Sequence, residues 1–179
     1  MKRFNREESF KVFDKYWDDL QKEWFKVEVL QDYSAEDDCP SLKEWLAGNK
    51  QKSIDLLQQD NEINEWTDIS LSKPKVKKIR IHIIEKPFTP YLEWEIEHYK
   101  HINIPLGKES VYLVPKEKIS HLKLPDGDFS IFDNQRVIKN IYSQERKVIG
   151  ADIYESGDNI DYFLELKREL VKIAEPLVV

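Results

Sequence analysis

The sequence predicts an α+β (α/β) fold: an N-terminal helical cap over about residues 1–70, then a mixed, largely antiparallel sheet flanked by helices from about residue 74 onward. Three observations predict it. Apolar residues recur at intervals of three and four in the first part, the apolar period drops to two after Lys73, and turn residues space the last strands as hairpins. A chain of 179 residues is most economically one domain, because splitting it would leave two marginal cores.

The elements follow in order. Phe10, Phe13, Tyr16, Trp17, Leu20 and Trp24 form one face of an amphipathic helix expected from about Glu7 to Lys22. "FKVEVL" alternates Phe25, Val27 and Val29 against Lys26 and Glu28, a short half-buried strand. After the acidic loop "DYSAEDDCP", a short helix is expected with Ser41 as cap, Glu44 three residues later and Gly48 as its stop. A further helical stretch carries Ile54, Leu57, Ile63 and Trp66 as its apolar contacts. "KPKVKKIRIHIIEK" places Ile79, Ile81 and Ile83 two apart, as a strand does. Thr89 and Pro90 then open a helix expected to reach about Ile102. "SVYLVP" is a strand, "HLKL" is a candidate for another, and "DFSIF", "RVIKNIY" and "KVIGADIY" form an antiparallel run. Its turns fall at Asp133 to Gln135 and at Ser143 to Glu145. A closing helix presents Ile160, Phe163, Leu164, Leu170 and Val171.

Composition narrows the function. With 40% hydrophobic residues, 35% charged residues of both signs and five Trp, the chain is expected to fold with an aromatic core. A net charge of −6 argues against non-specific nucleic-acid binding, which scales with the cations supplied. One Cys and no apolar run of about 18 residues imply no disulfide framework, secretion signal or membrane span, so the expected location is cytoplasmic.

The stretch "HLKLPDGD" spells His121, Lys123 and Asp128 at the spacing of a phospholipase D-type phosphodiesterase. In that chemistry a His attacks phosphorus, a Lys binds phosphate, and the residues between Lys and Asp continue one strand. Here they are Leu124, Pro125, Asp126 and Gly127, a strong turn signal. In the register where the following strand is "FSIF", the His and Lys positions hold Asp126 and Asp128, which repel phosphate. The match therefore reads as accidental, and the catalytic set His121, Lys123 and Asp128 stands only as an alternative.

"FKVEVLQDY", "KEWLAGN", "RIHIIEKPFTPYLEWE", "ESVYLVPKE" and "LPDGDFSIFDNQRVI", in that order, resemble a bacterial family catalogued as a domain of unknown function. The resembling family is abundant in actinomycetes, beside helix-turn-helix regulators, and its C-terminal half is similar to one half of a phospholipase D-like fold without the catalytic His and Lys. The matching positions are Arg80, Glu85, Pro87, Tyr91 and Glu95, then Leu124, Pro125, Phe132 and Asp133; Ser130 departs from a frequent Trp. The resemblance implies an accessory or regulatory role and a partner such as a helix-turn-helix regulator.

Other constellations carry chemistry of their own. Arg80, His82 and Glu85 with Tyr91, Trp94 and Glu95 would line a polar pocket beside aromatics if strand and helix pack together; the rival reading is an ion pair tying helix to sheet. Asp133 joins these ligand-binding candidates. Glu95, His98 and His101 are a weaker metal alternative on one helix, lacking a further ligand at recognisable spacing. Asp126, Asp128 and Asp133 are explained by turn chemistry. Lys73, Lys75, Lys77, Lys78 and Arg80 form a basic cluster that reads as a Lys-decorated edge strand, or alternatively as a phosphate contact. Cys39 beside Asp37 and Asp38 is no nucleophile, because neighbouring carboxylates raise a thiol pKa.

The sequence thus favours a non-catalytic cytoplasmic bacterial accessory or regulatory protein, without cofactor, that binds a protein partner or a small ligand. A divergent phosphodiesterase or other hydrolase is the alternative, and nucleic-acid binding through Lys73 to Arg80 ranks third. The oligomeric state, a homodimer included, is open.

Overall fold

The computed structural model describes residues 1–35, 39–57, 59 and 61–178, without the side chains of residues 61–65. Its centre is an eight-stranded mixed sheet in the order β1-β7-β6-β5-β2-β3-β4-β8. The strands are β1 (Lys2–Asn5), β2 (Glu23–Glu28), β3 (Lys77–Ile84), β4 (Ser110–Pro115), β5 (Phe129–Phe132), β6 (Arg136–Tyr142), β7 (Val148–Tyr154) and β8 (Glu175–Pro176). β3 is paired in parallel with β2 on one side and β4 on the other, and every other pairing is antiparallel. The α+β class read from the sequence is the class observed.

The helices are α1 (Arg6–Asp19), α2 (Pro40–Leu46), α3 (Lys50–Leu57), α4 (Asn61–Leu71), α5 (Pro90–His98) and α6 (Asp161–Ile173), with a π-helical turn, Tyr99–Asn103, continuing α5. α1 starts where a capping box closes it: the Asn5 side chain accepts from the Glu8 N–H and Glu8 reaches back to the Asn5 N–H. α5 starts at Thr89, whose hydroxyl accepts from the Leu92 N–H at 3.0 Å, with Pro90 in the first turn.

Alternation sorts the central strands into two unlike faces. Phe25 and Val27 of β2, Ile79, Ile81 and Ile83 of β3, and Phe129 and Ile131 of β5 form an apolar face covered by Phe163, Leu166 and Leu170 of α6. The intervening residues Lys26, Glu28, Lys78, Arg80, His82, Asp128 and Ser130 point to the opposite face. There α1 packs Tyr16 and Trp17 beside Trp24 and Phe132, while α5 lays Glu95 and the π-helical turn lays Tyr99 over His82. Both faces of β3 are therefore buried, yet only one is apolar.

Several sequence expectations shift. The region expected as a helical cap over 1–70 contributes β1 and β2 to the sheet, so its helices over the sheet run from α1 and then from Pro40 to Leu71. Two edge strands, β1 and β8, were not expected; both are too short to show a period. "HLKL" is not a strand: Leu122 donates its N–H to the Ile119 carbonyl in a turn, while Leu122 and Leu124 pack on the apolar core. Ser41 is not a cap, because α2 begins one residue earlier, at Pro40, and Ser41 is buried inside it. The single helical stretch expected through Trp66 is two helices, α3 and α4. Its expected contact through Ile63, like Asp37 and Asp38 of the acidic loop, lies outside the described side chains. Phe10 and Val171 are each 51% exposed, and Leu166 takes the core position on α6. The hairpin turn at Asp133 to Gln135 is as expected, with Phe132 paired to Arg136 across it and Asp133 and Asn134 both at positive φ.

Candidate functional site

The polar face of the sheet is the floor of a cavity of about 390 Å³, the size of a small-ligand pocket. It is roofed by α5 and the π-helical turn and walled by Tyr33, Tyr91, Trp94, Tyr99 and Tyr142. The parallel register places Lys26 opposite Arg80 and Glu28 opposite His82, so four polar side chains from adjacent strands meet beneath it.

Glu28 is the hub. Its Oε1 accepts from Arg80 Nη1 and lies 2.7 Å from Lys26 Nζ, while its Oε2 accepts from the Tyr99 hydroxyl at 2.6 Å. Arg80 also donates from Nε to Glu109 Oε2 at 2.7 Å, and Glu109 accepts from Trp66 Nε1 at 2.6 Å and Asn103 Nδ2 at 2.9 Å. Arg80 thereby ties β2, β3 and the approach to β4 together. Buried ionised pairs persist only when hydrogen-bonded in this way.

His82 is fully buried, and its Nε2 faces the Leu30 carbonyl at 2.8 Å. A carbonyl can only accept, so Nε2 carries the proton and the neutral ring presents the Nδ1 lone pair. Burial lowers the His82 pKa and keeps the ring neutral. Nδ1 lies 3.0 Å from the Tyr99 oxygen, 3.3 Å from Glu95 Oε2 and 3.8 Å from Glu28 Oε2. Glu95 is 7% exposed and its Oε2 makes no hydrogen bond.

Their surroundings push the two glutamates in opposite directions. Burial alone pushes Glu28 up, but Arg80 and Lys26 hold it below the ordinary carboxylate range. Burial, reinforced by the charge of Glu28, drives the Glu95 carboxyl well above that range. Asp128 forms the adjoining wall, accepting from the Val29 N–H at 2.8 Å, the Tyr33 hydroxyl at 2.9 Å and the Tyr142 hydroxyl at 2.7 Å. Burial raises the Asp128 pKa, and burial with the Asp128 charge raises those of Tyr33 and Tyr142.

Of the ligand-binding candidates read from the sequence, Arg80, His82, Tyr91, Trp94 and Glu95 converge here, Arg80 and Glu95 as lining residues and His82 against them. Glu85 does not: β3 has ended, and its exposed carboxylate pairs with Lys116 at 2.6 Å. Asp133 is also elsewhere, accepting the backbone N–H groups of Gln21, Lys22 and Glu23 at 2.9, 2.7 and 2.9 Å, which seats the entry to β2. The metal alternative on α5 does not converge, because Glu95 faces His82, His98 Nδ1 meets Asn103 Oδ1 at 2.7 Å, and His101 lies 3.6 Å from Glu97. His121 and Lys123 are exposed in a turn while Asp128 is buried in the cavity wall, so the phosphodiesterase set is dispersed. The basic cluster is not an edge strand either, and it is split: Lys75 and Lys77 are exposed, while Lys78 and Arg80 are buried. β3 is central, Lys78 is buried with its Nζ on the Ser70 carbonyl at 2.7 Å, and Arg80 is consumed by carboxylates. Cys39 is buried beside Ser41 at 3.5 Å and lines the cavity.

Lys26, Glu28, Tyr33, Tyr99, Asn103, Glu109 and Tyr142 were missed. A signal existed for two of them: Lys26 and Glu28 alternate in phase with Phe25 and Val27 just as Arg80 and His82 do with Ile79 and Ile81. Alternation distinguishes faces without saying which is wet, and the polar one was read as solvent.

A mixed-sheet α+β protein with a carboxylate-rich, aromatic-walled cavity beneath its crossover helices is the class that fold and site define. The chain belongs to the family described as Domain of unknown function (DUF6879), whose profile matches residues 11–178. A comparison with curated proteins found no match. Among the described residues, no helix is long and apolar enough to cross a membrane.

Proposed function

We propose that the protein is a non-catalytic, cytoplasmic bacterial accessory or regulatory protein that binds a small polar molecule in the cavity above β2 and β3. The observation that carries this reading is the buried polar face itself. Glu28, Arg80 and His82 occupy buried sheet positions that a protein built for stability alone fills with apolar residues, with Asp128 buried and Lys26 half-buried beside them, and ion pairs there add little net stability. Aromatic walls over a few converging polar groups are the usual composition of a small-ligand pocket. The resemblance to a family encoded beside helix-turn-helix regulators supports a regulatory setting, in which ligand occupancy is passed to a protein partner.

The test is a thermal-shift screen of the purified protein against amino acids, nucleosides, amines and organic acids, repeated on Glu95→Gln. A bound compound raises the Tm of the wild type and much less that of the variant. If no compound shifts the wild type, or if the hit shifts both proteins equally, ligand binding in this cavity is wrong.

A further inference from the structure

We propose that Glu28, His82 and Glu95 bind one divalent transition-metal ion of the zinc and manganese class, with an open coordination position facing the cavity. Three features of the geometry point to it. One atom from each residue can be chosen so that all three lie within 4.8 Å of one another, with His82 Nδ1 3.3 Å from Glu95 Oε2 and 3.8 Å from Glu28 Oε2. Ligand atoms about 2.0–2.2 Å from a common ion stand about 3.0–3.6 Å apart at tetrahedral or octahedral angles, so only small side-chain adjustments close the set.

The second feature is the tautomer. The Leu30 carbonyl fixes the proton on Nε2, and a metal-binding imidazole is typically held by such a contact from its far nitrogen to a backbone carbonyl. The third is Glu95 Oε2, buried, aimed at the Nδ1 lone pair and without a hydrogen bond. With the Tyr99 proton directed to Glu28, the Tyr99 oxygen, Nδ1 and Glu95 Oε2 all turn acceptor lone pairs toward one small space. A cation belongs there.

The surrounding charges allow one. Arg80 and Lys26 engage Glu28 through Oε1, leaving Oε2 toward His82, and Arg80 is itself shared with Glu109. One imidazole and two carboxylates suit borderline and harder divalent ions better than a soft thiolate-seeking one. Three protein ligands leave room for a further one, as in sites where the metal receives a small molecule. The inference deepens the ligand-binding reading and rests on it only for what fills that open position.

The experiment is titration of chelator-stripped full-length protein with Zn²⁺, Mn²⁺ and Co²⁺, followed by calorimetry and, for Co²⁺, by visible absorption. Binding of one ion per chain is expected, with Co²⁺ bands of a nitrogen–oxygen site. Glu95→Gln should weaken binding by at least about tenfold while its circular dichroism spectrum stays that of the wild type, and Glu85→Gln should bind like the wild type. Should His82→Gln fold, it should behave as Glu95→Gln does. Absence of stoichiometric binding below millimolar metal, or equal affinity in wild type and Glu95→Gln, overturns the proposal. Loss of metal binding alongside a surviving small-molecule thermal shift rejects the metal and keeps the cavity ligand; stoichiometric metal without any small-molecule shift does the reverse.

Discussion

Glu28 of β2 lies directly across the parallel pairing from His82 of β3, and their side chains rise on the same face to bring Oε2 within 3.8 Å of Nδ1. That one register pair seeds the whole polar site, since Lys26 and Arg80 are the neighbouring pair on the same face. A slip by one residue would exchange this face for the apolar one under α6.

Glu28→Ala is expected to be among the most destabilising substitutions in the chain. It leaves Arg80 buried with only Glu109 as ion-pair partner and removes the acceptor of the Tyr99 hydroxyl. Breaking a buried pair from one side costs about 3–5 kcal/mol. Urea denaturation measures it, and a loss below about 1 kcal/mol would mean that the network is hydrated in solution.

Asp133 should make the stability dependent on acid pH. Burial alone would raise its pKa, but the backbone N–H groups of Glu23, Gln21 and Lys22 together hold it below the ordinary carboxylate range. A depressed folded-state pKa gives stability that is present above the unfolded value and is lost as pH falls through the folded one. Asp133→Asn should therefore lower stability by about 1–3 kcal/mol at neutral pH and flatten the acid limb below about pH 4. Denaturation curves for both proteins at several pH values test this; parallel limbs would refute it.

Gly127→Ala and Gly150→Ala should each destabilise through backbone collision. An added Cβ would sit 2.3 Å from the Asn140 carbonyl oxygen at Gly127 and 2.2 Å from that of Phe4 at Gly150. Forcing atoms into such contacts costs about 1–3 kcal/mol. At Gly150 the loss should be concentrated in β1, read as faster amide exchange over Lys2–Asn5; unchanged exchange there would count against it.

His121→Ala and Lys123→Ala should leave stability within about ±0.5 kcal/mol, because both side chains are exposed. Neither should alter hydrolysis of a chromogenic phosphodiester. A His121-dependent rate would reopen the enzymatic reading.

Much of this molecule is legible in its sequence because the signals are local. The Thr89-Pro90 helix start, the Asp133-Asn134 turn and the Ile79, Ile81, Ile83 alternation depend on residues within a few positions of one another, and each appears as expected. Arg80, His82, Tyr91, Trp94 and Glu95 could be grouped because a strand and the helix that follows it are neighbours in sequence. Glu85 was grouped with them wrongly, since nothing local marks Ile84 as the end of β3.

The sequence by itself determined the class of fold, the Thr89-Pro90 helix start and the Asp133 hairpin turn, and the half of the cavity carried by β3 and α5. The tertiary structure alone decided that Lys26 and Glu28 face inward, that Asp128, Tyr33 and Tyr142 complete the wall, and that Glu95 meets His82. The physical reason is that a period of two tells which residues share a face, while burial of that face depends on what crosses over it. Here α5 and its π-helical turn cover the polar side, so charges that read as solvated become the floor of the site.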